Sequence, residues 1–267
     1  MQCAVLGSPI AHSLSPVMHR AAYRELGLDW TYGAVDVPEG TLGTFLGALG
    51  DDVRGFSVTA PLKREAAQAA HQRSEDVEVL DVANTLVIDD GMLSAHNTDV
   101  TGAISALREH GLTALQTVRI VGGGATASSM AYAMTLLGVG HIELLVRDPN
   151  RAQDAHDVAA RRDVDVTVRR LEEPITDMVD LMISTVPGEA IGSRSHELVG
   201  ASRAVFDLIY EPWPGVLARA AEEEHLPFVS GLDLLAHQAA FQVELMTGSP
   251  VRPQVLLDAA LAGLSTR

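Results

Sequence analysis

The stretch Thr117-Val-Arg-Ile-Val-Gly122-Gly-Gly124-Ala-Thr-Ala127-Ser-Ser-Met-Ala-Tyr-Ala-Met-Thr-Leu-Leu137 decides the fold of half this chain. Residues 118–121 read as a strand and 125–137 as a helix. Between them, Gly122-Gly-Gly124-Ala-Thr-Ala127 matches the pattern G-x-G-x-x-[G/A]. Gly122 allows the tight turn, Gly124 lets backbone approach a pyrophosphate, and Ala127 permits close packing of helix on strand. Glycine triplets also occur in plain tight turns, and it is the strand-then-helix context that points to a dinucleotide. Gly122, Gly123, Gly124 and Ala125 are therefore the expected phosphate contacts.

The end of the next strand, 142–146, bears on which nicotinamide cofactor fits. A carboxylate there grips the ribose diol of NAD, whereas an arginine accepts the 2′-phosphate of NADP. The segment runs Leu144-Leu-Val-Arg147-Asp148-Pro-Asn-Arg151. Arg147 and Arg151 favour NADP(H), and Asp148 is a signal in the opposite direction.

Outward from this motif, short apolar runs alternate with helical patterns, which makes the fold class α/β. On the C-terminal side, further strands are expected at 164–168, 181–185, 204–209 and 227–229, and helices at 232–246 and 253–264. On the N-terminal side the texture is less regular. Strands are expected at 4–6, 30–37 and 55–58, with a helix N-capped by Ser15 and carrying Pro16 at its first position. Residues 85–88 and 92–95 flank Asp89-Asp90-Gly91, a hairpin signal. Helical segments are also expected at 41–49, from near Pro61, and from Asp99 to Gly111. The two textures meet near residue 100. Two domains are expected: an α/β substrate domain over 1–100 and a Rossmann-type doubly wound domain over 101–235.

Composition narrows the function classes. The net charge is −16, from 35 acidic against 19 basic residues, which argues against a nucleic-acid partner. No apolar run approaches a membrane span, and no Cys/His cluster has metal-site spacing, so neither membrane nor metal is expected. The single cysteine, Cys3, and an N-terminus lacking a basic leader fit a reducing cytoplasm.

The basic residues are unusual in kind. Of the 19, 18 are arginine, and the only lysine is Lys63. A guanidinium cannot give up its proton in a protein, whereas an ammonium can, and proton transfer needs that property. Around Lys63, the residues Ser13, Ser15, Thr59, Asn84, Asn97 and Asp99 all fall near expected strand ends or helix starts. Ligands of open α/β sheets gather at the carboxyl ends of strands. Hydroxyls, amides, an ammonium and a carboxylate suit a small polyol bearing an acid group, although each Ser or Asn alone is an ordinary cap or turn residue.

Together these segments resemble the shikimate dehydrogenase family from end to end. Gly7-Ser-Pro-Ile-Ala-His-Ser13-Leu-Ser15-Pro-Val-Met-His19 is similar to its opening signature, and Ser57-Val-Thr59-Ala-Pro-Leu-Lys63 to its Asn-Val-Thr-x-Pro-x-Lys motif. Ala83-Asn84-Thr85-Leu86, Asn97-Thr98-Asp99, Ser184-Thr185-Val-Pro187, Asp207-Leu-Ile-Tyr210-x-Pro212 and 231–238 resemble its later landmarks. The resemblance implies reversible NADPH-dependent reduction of 3-dehydroshikimate to shikimate, in the shikimate pathway of aromatic amino acid biosynthesis. It implies catalysis by Lys63 and Asp99, and substrate binding by Ser13, Ser15, Thr59, Asn84, Tyr210 and Gln238. It implies further cofactor contacts at Thr185, Pro187 and Gly231, and a C-terminal segment, 236–267, that completes the first domain. A monomer or homodimer is expected.

Three departures stand out: Ser57 for the usual Asn, Val146-Arg147-Asp148 for Asn-Arg-Thr, and Gly215 for Thr. The alternatives are an NAD-dependent quinate/shikimate dehydrogenase, a folate-type dehydrogenase, and a non-catalytic small-molecule sensor. The folate-type reading leaves Ser13, Ser15 and Gln238 unexplained, and the sensor has no use for a Lys/Asp pair.

Overall fold

The computed structural model describes residues 1–265. The chain divides into two compact units, Met1–Gly102 with the segment from Leu235 onward, and Ala103–Leu234.

The first unit is built on β1 (Gln2–Gly7), α1 (Ser15–Glu25), β2 (Thr31–Asp36), α2 (Leu42–Leu46), β3 (Val53–Val58), α3 (Lys63–Ala69), β4 (Gln72–Arg73), α4 (Glu75–Leu80), β5 (Thr85–Asp89) and β6 (Met92–His96). Helix α5 (Thr98–Glu109) leads out of it. Its sheet has the order β2-β1-β3-β5-β6-β4. Strand β1 pairs in parallel with both β2 and β3, whereas β5 runs antiparallel to β3 and to β6. The sheet is therefore mixed. The hairpin turn places Asp90 and Gly91 at φ 46° and 76°, the paired left-handed conformation that Asp-Gly adopts readily.

Strand β1 shows why the N-terminus reads as one apolar run. Ala4 and Leu6 enter the core beside Phe56, Val58 and Leu62, while Cys3 and Val5 pack on the other face against Tyr23, Tyr32 and Met246. A strand buried on both faces has no polar alternation. Helix α1 differs from expectation at its start. Ser15 is the first helical residue rather than the cap, and the side-chain oxygen that accepts its N–H, at 3.2 Å, belongs to Ser13. The Ser-Leu-Ser spacing lets the earlier serine take the bonding role.

The second unit is a six-stranded parallel sheet. Its elements are β7 (Thr117–Val121), α6 (Ala125–Leu136), β8 (His141–Val146), α7 (Gln153–Ala160), β9 (Asp165–Arg170), β10 (Leu181–Ser184), α8 (Gly188–Ile191), α9 (Ser195–Gly200), β11 (Val205–Asp207), α10 (Val216–Glu223) and β12 (Phe228–Ser230). Helix α11 (Gly231–Thr247) leads back to the first unit, and α12 (Pro253–Ser265) closes the described chain. The strand order is β12-β11-β10-β7-β8-β9, so the winding reverses between β7 and β10. That is the doubly wound order, whose reversal point marks the ligand crevice. No helix among the described residues is long and apolar enough to cross a membrane.

One buried charge sits in the middle of this sheet. Arg119 on β7 is fully buried and faces Glu143, its register partner on β8. Its remaining N–H groups donate to the carbonyls of Asp177 and Ala201 at 2.8 and 3.2 Å, and Arg169 approaches Glu143 from β9 at 3.1 Å. The guanidinium thus ties β7 and β8 to the segments that precede β10 and β11. Glu143→Ala strands a buried cation and is expected to lower unfolding free energy by about 3–5 kcal/mol in urea titration. Replacing Arg119 and Glu143 together by methionine should cost much less, and equal losses in both variants would contradict the pairing.

Candidate functional site

In the first unit, every expected polar residue of this unit lies at one end of the sheet or on the helices beside it. Strand β1 ends at Gly7 and feeds the loop of Ser13 and Ser15. Strand β3 ends at Val58, so Thr59 and then Lys63, the first residue of α3, follow it. Because β5 runs antiparallel to β3, its beginning lies at this same end, and Asn84 immediately precedes it. Strand β6 returns there and delivers Asn97, Thr98 and Asp99 into α5. The Asn97 side chain accepts the N–H of Asp99 at 3.2 Å, which caps the helix. Asp99 itself lies in the first turn, where the helix dipole favours a carboxylate.

Four of these side chains form one cluster. Lys63 Nζ donates to Asp99 Oδ2 at 2.6 Å, and Asn84 Nδ2 donates to Asp99 Oδ1 at 2.9 Å and to Gln238 Oε1 at 3.3 Å. The Lys63 and Asp99 side chains keep 14% and 10% of their surface exposed, enough for a ligand to reach them. The N–H of Ala83 donates to the Lys63 carbonyl at 2.9 Å, which links the backbone bearing Lys63 to the one bearing Asn84. Gln238 on α11 stands close because Gly102 on α5 offers it no side chain. A Cβ at Gly102 would lie 2.8 Å from the Gln238 Cβ.

Ser15 is buried and Ser13 half-buried at the start of α1, and Thr59 is half-buried against Gly7. Tyr210 belongs to the second unit, half-buried on the loop after β11. Tyr32, Thr85, Thr98 and Gln242 are further buried polar groups around Asn84 or Ser57. Thr85 and Thr98 stand inside the Asn84 and Asp99 motifs with no role assigned to them, and Tyr32 and Gln242 lie outside every motif.

In the second unit the glycine loop lies at the switch point. Gly122 has φ 121°, and a Cβ there would meet Thr185 Oγ1 at 2.1 Å. Thr185 follows β10 and donates its hydroxyl to the Val121 carbonyl at 3.0 Å. Gly123 is needed for a reason absent from the motif: a Cβ would lie 2.6 Å from the Arg151 carbonyl, so the turn bearing Arg151 packs onto the loop. Around Gly124 nothing lies within 4 Å of such a Cβ, and the first intrahelical bond of α6 is Ser128 N–H to Gly124 O. The N–H groups of Ala125, Thr126 and Ala127 therefore lack helical partners next to open space, the requirement for holding a phosphate.

Arg147 and Arg151 are exposed after β8. Asp148, also exposed, accepts the N–H of Asn150 on Oδ1 at 3.0 Å and caps a short 3₁₀ turn. Pro187 is exposed after β10, and Gly231 is buried, its missing Cβ position 2.3 Å from the Leu208 carbonyl. Gly231 thus permits close packing of α11 against the β11 loop. Among the described residues no group of three His, Cys, Asp or Glu could hold a metal ion.

Asp207, at the end of β11, is a buried acid whose pKa is raised to about 6, chiefly by burial and despite the donated N–H of Ile209. The folded chain therefore binds this proton more tightly than the unfolded chain does. Stability from the protonated form is present below about pH 4 and lost as pH rises through about 6. Asp207→Asn stays neutral, so urea unfolding at about pH 4 and about pH 7 should show the unmodified chain losing stability relative to the variant at the higher pH. A pH-independent difference would place the ionised form in a site that tolerates it.

A family model described as "Shikimate dehydrogenase substrate binding domain" matches residues 5–86. A shikimate dehydrogenase (NADP(+)) of Methanothermobacter thermautotrophicus is 31% identical over 96% of this chain and 94% of its own length. The crystal structure of Mycobacterium tuberculosis shikimate dehydrogenase superposes with a TM-score of 0.88 at 34% identity, covering 98% of both chains. That of Thermus thermophilus shikimate 5-dehydrogenase, in complex with NADP(H) and shikimate, gives 0.87 at 28% identity, covering 99% of this chain and 100% of that one. With likeness running the length of both units, this chain belongs to the shikimate dehydrogenase family.

Proposed function

We propose that this chain reduces 3-dehydroshikimate to shikimate reversibly with NADPH, and that Lys63 and Asp99 carry the proton step. The observation behind the reading is the Lys63–Asp99–Asn84–Gln238 cluster at the strand ends. When bound, NADPH supplies a hydride to the ketone carbon of the substrate. The Lys63 ammonium stabilises the alkoxide that develops and donates the proton that converts it to a hydroxyl. Asp99 holds Lys63 in place and passes it a replacement proton from solvent. In the reverse direction, neutral Lys63 takes the hydroxyl proton.

Thr59, Asn84 and Gln238 are the proposed partners for ring hydroxyls, each of which needs a hydrogen bond once removed from water. Ser13 and Ser15 are proposed to hold the substrate carboxylate, one through its hydroxyl and one beside the start of α1. In the second unit, the open space at Gly124 and the N–H groups opening α6 fit a pyrophosphate. Arg147 and Arg151 suit a 2′-phosphate, and the cap made by Asp148 leaves that carboxylate engaged with Asn150. Every group named comes from one chain, so the reading serves a monomer or a homodimer alike. A reducing cytoplasm is proposed from Cys3, the sole cysteine, which is free and buried.

Rates with shikimate and quinate against NADP and NAD, in all four combinations, test the assignment. Shikimate with NADP should be the most efficient pair. Arg147→Ala should weaken NADP about 10–100-fold, the worth of a charge-assisted hydrogen bond, and NAD far less. Quinate with NAD as the best pair would contradict the reading, and shikimate binding without turnover in any combination would favour a sensor.

A further inference from the structure

The cluster around Asp99 does not end at Gln238. Behind it lies a second glutamine, Gln242, one turn further along α11 and 1% exposed. Its Nε2 donates to the Asn84 carbonyl at 3.1 Å and to Thr85 Oγ1 at 3.0 Å. Its Oε1 accepts from Ser57 Oγ at 2.7 Å and faces His19 Nε2 at 3.3 Å. A carboxamide has two donor hydrogens and two acceptor lone pairs, and here each has a partner.

The orientation of both amides follows from backbone groups, which have fixed polarity. The Asn84 carbonyl can only accept, so Gln242 must present its NH₂ there and its oxygen to Ser57. The Thr98 N–H can only donate, at 2.8 Å, so Asn84 must present Oδ1 to Thr98 and Nδ2 to Asp99. Hydrogen bonds then run in one direction through the unit. Tyr32 donates to Ser57 at 2.5 Å, Ser57 to Gln242, Gln242 to Thr85, Thr85 to Asn84 Oδ1 at 2.8 Å, and Asn84 to the Asp99 carboxylate. Bonds aligned this way polarise one another, and the last acceptor is the one carrying charge.

His19 does not add charge to this line. It is fully buried and stacked on Tyr32 at 4.0 Å, and burial lowers its pKa to about 3, so it stays neutral. Its Nε2 then bears the hydrogen that Gln242 accepts. Ser57, at the position where the resemblance gives asparagine, accepts from the Tyr32 hydroxyl and donates to the Gln242 oxygen.

We propose that Gln242 is a positioning residue for the reaction: through Thr85 and the Asn84 backbone it fixes the Asn84 amide against Asp99. The proposal rests on the functional reading above, in which Asn84 and Asp99 serve the substrate. It assigns a task to a residue whose amide is fully engaged by protein groups.

Gln242→Met keeps the length of the side chain and removes all four hydrogen bonds. It should lower kcat/KM for shikimate about tenfold, the scale of supporting-shell losses, while leaving KM for NADP unchanged. In an Asn84→Ala background the same change should cost less than about twofold, because the group it positions is gone. A merely structural role would give additive losses together with a lowered thermal midpoint, and additivity overturns the proposal. Thr85→Val cuts the same line at its next joint and replaces Gln242→Met should that variant fail to fold. A crystal structure of the variant gives a readout free of activity: Asn84 Nδ2 should have left hydrogen-bond distance of Asp99. An amide still in place contradicts the proposal, whereas an unmodified chain inactive on shikimate contradicts only the functional reading.

Discussion

The Asp99 carboxylate is the group on which the first unit converges. One oxygen receives the Lys63 ammonium and the other the Asn84 amide, and its own backbone N–H is held by Asn97. Each partner arrives from a different element: α3, the segment before β5, and the turn after β6. The mixed sheet makes this convergence possible. Because β5 is antiparallel to β3, a strand beginning and two strand ends meet at a single edge. A buried acid with one oxygen unsatisfied would be costly, and here both are engaged.

The second unit solves a different problem, holding polyanionic phosphate on a chain of net charge −16. Its answer is local. The glycine loop brings the N–H groups of α6 to an open surface, and the arginines after β8 add positive charge where β8 ends. Within the sheet, the Arg119–Glu143 pair binds neighbouring strands and the segments that precede β10 and β11 together.

Much of this arrangement was legible in the sequence. The glycine motif, the apolar strands of the parallel sheet and the Asp-Gly hairpin are local signals, set by backbone sterics and short-range periodicity. The lone lysine stood out because a chain so rich in arginine makes its exception visible. What escaped reading depends on distant partners. Nothing local in 117–121 tells that Arg119 is fully buried, since its partner Glu143 is 24 residues away. Strand β4 has two residues and α4 six, too short for a periodic pattern. Ser15 reads as a helix cap until the geometry gives that bond to Ser13. Gln242 reads as one more polar residue of a helix, and only the fold brings it beside Ser57, 185 residues away in sequence.

The central claim is that Lys63 moves a proton and does not merely supply charge. Turnover of Lys63→Arg against Lys63→Ala tests it most directly, with shikimate and NADP saturating and the fold checked by its thermal midpoint. Lys63→Ala should lose about 10²–10⁴-fold in kcat, the worth of a positioned acid–base group. Arginine keeps the positive charge but cannot cycle its proton, so Lys63→Arg should remain in that same range. A Lys63→Arg enzyme near full activity would contradict the account and move the proton step to another group.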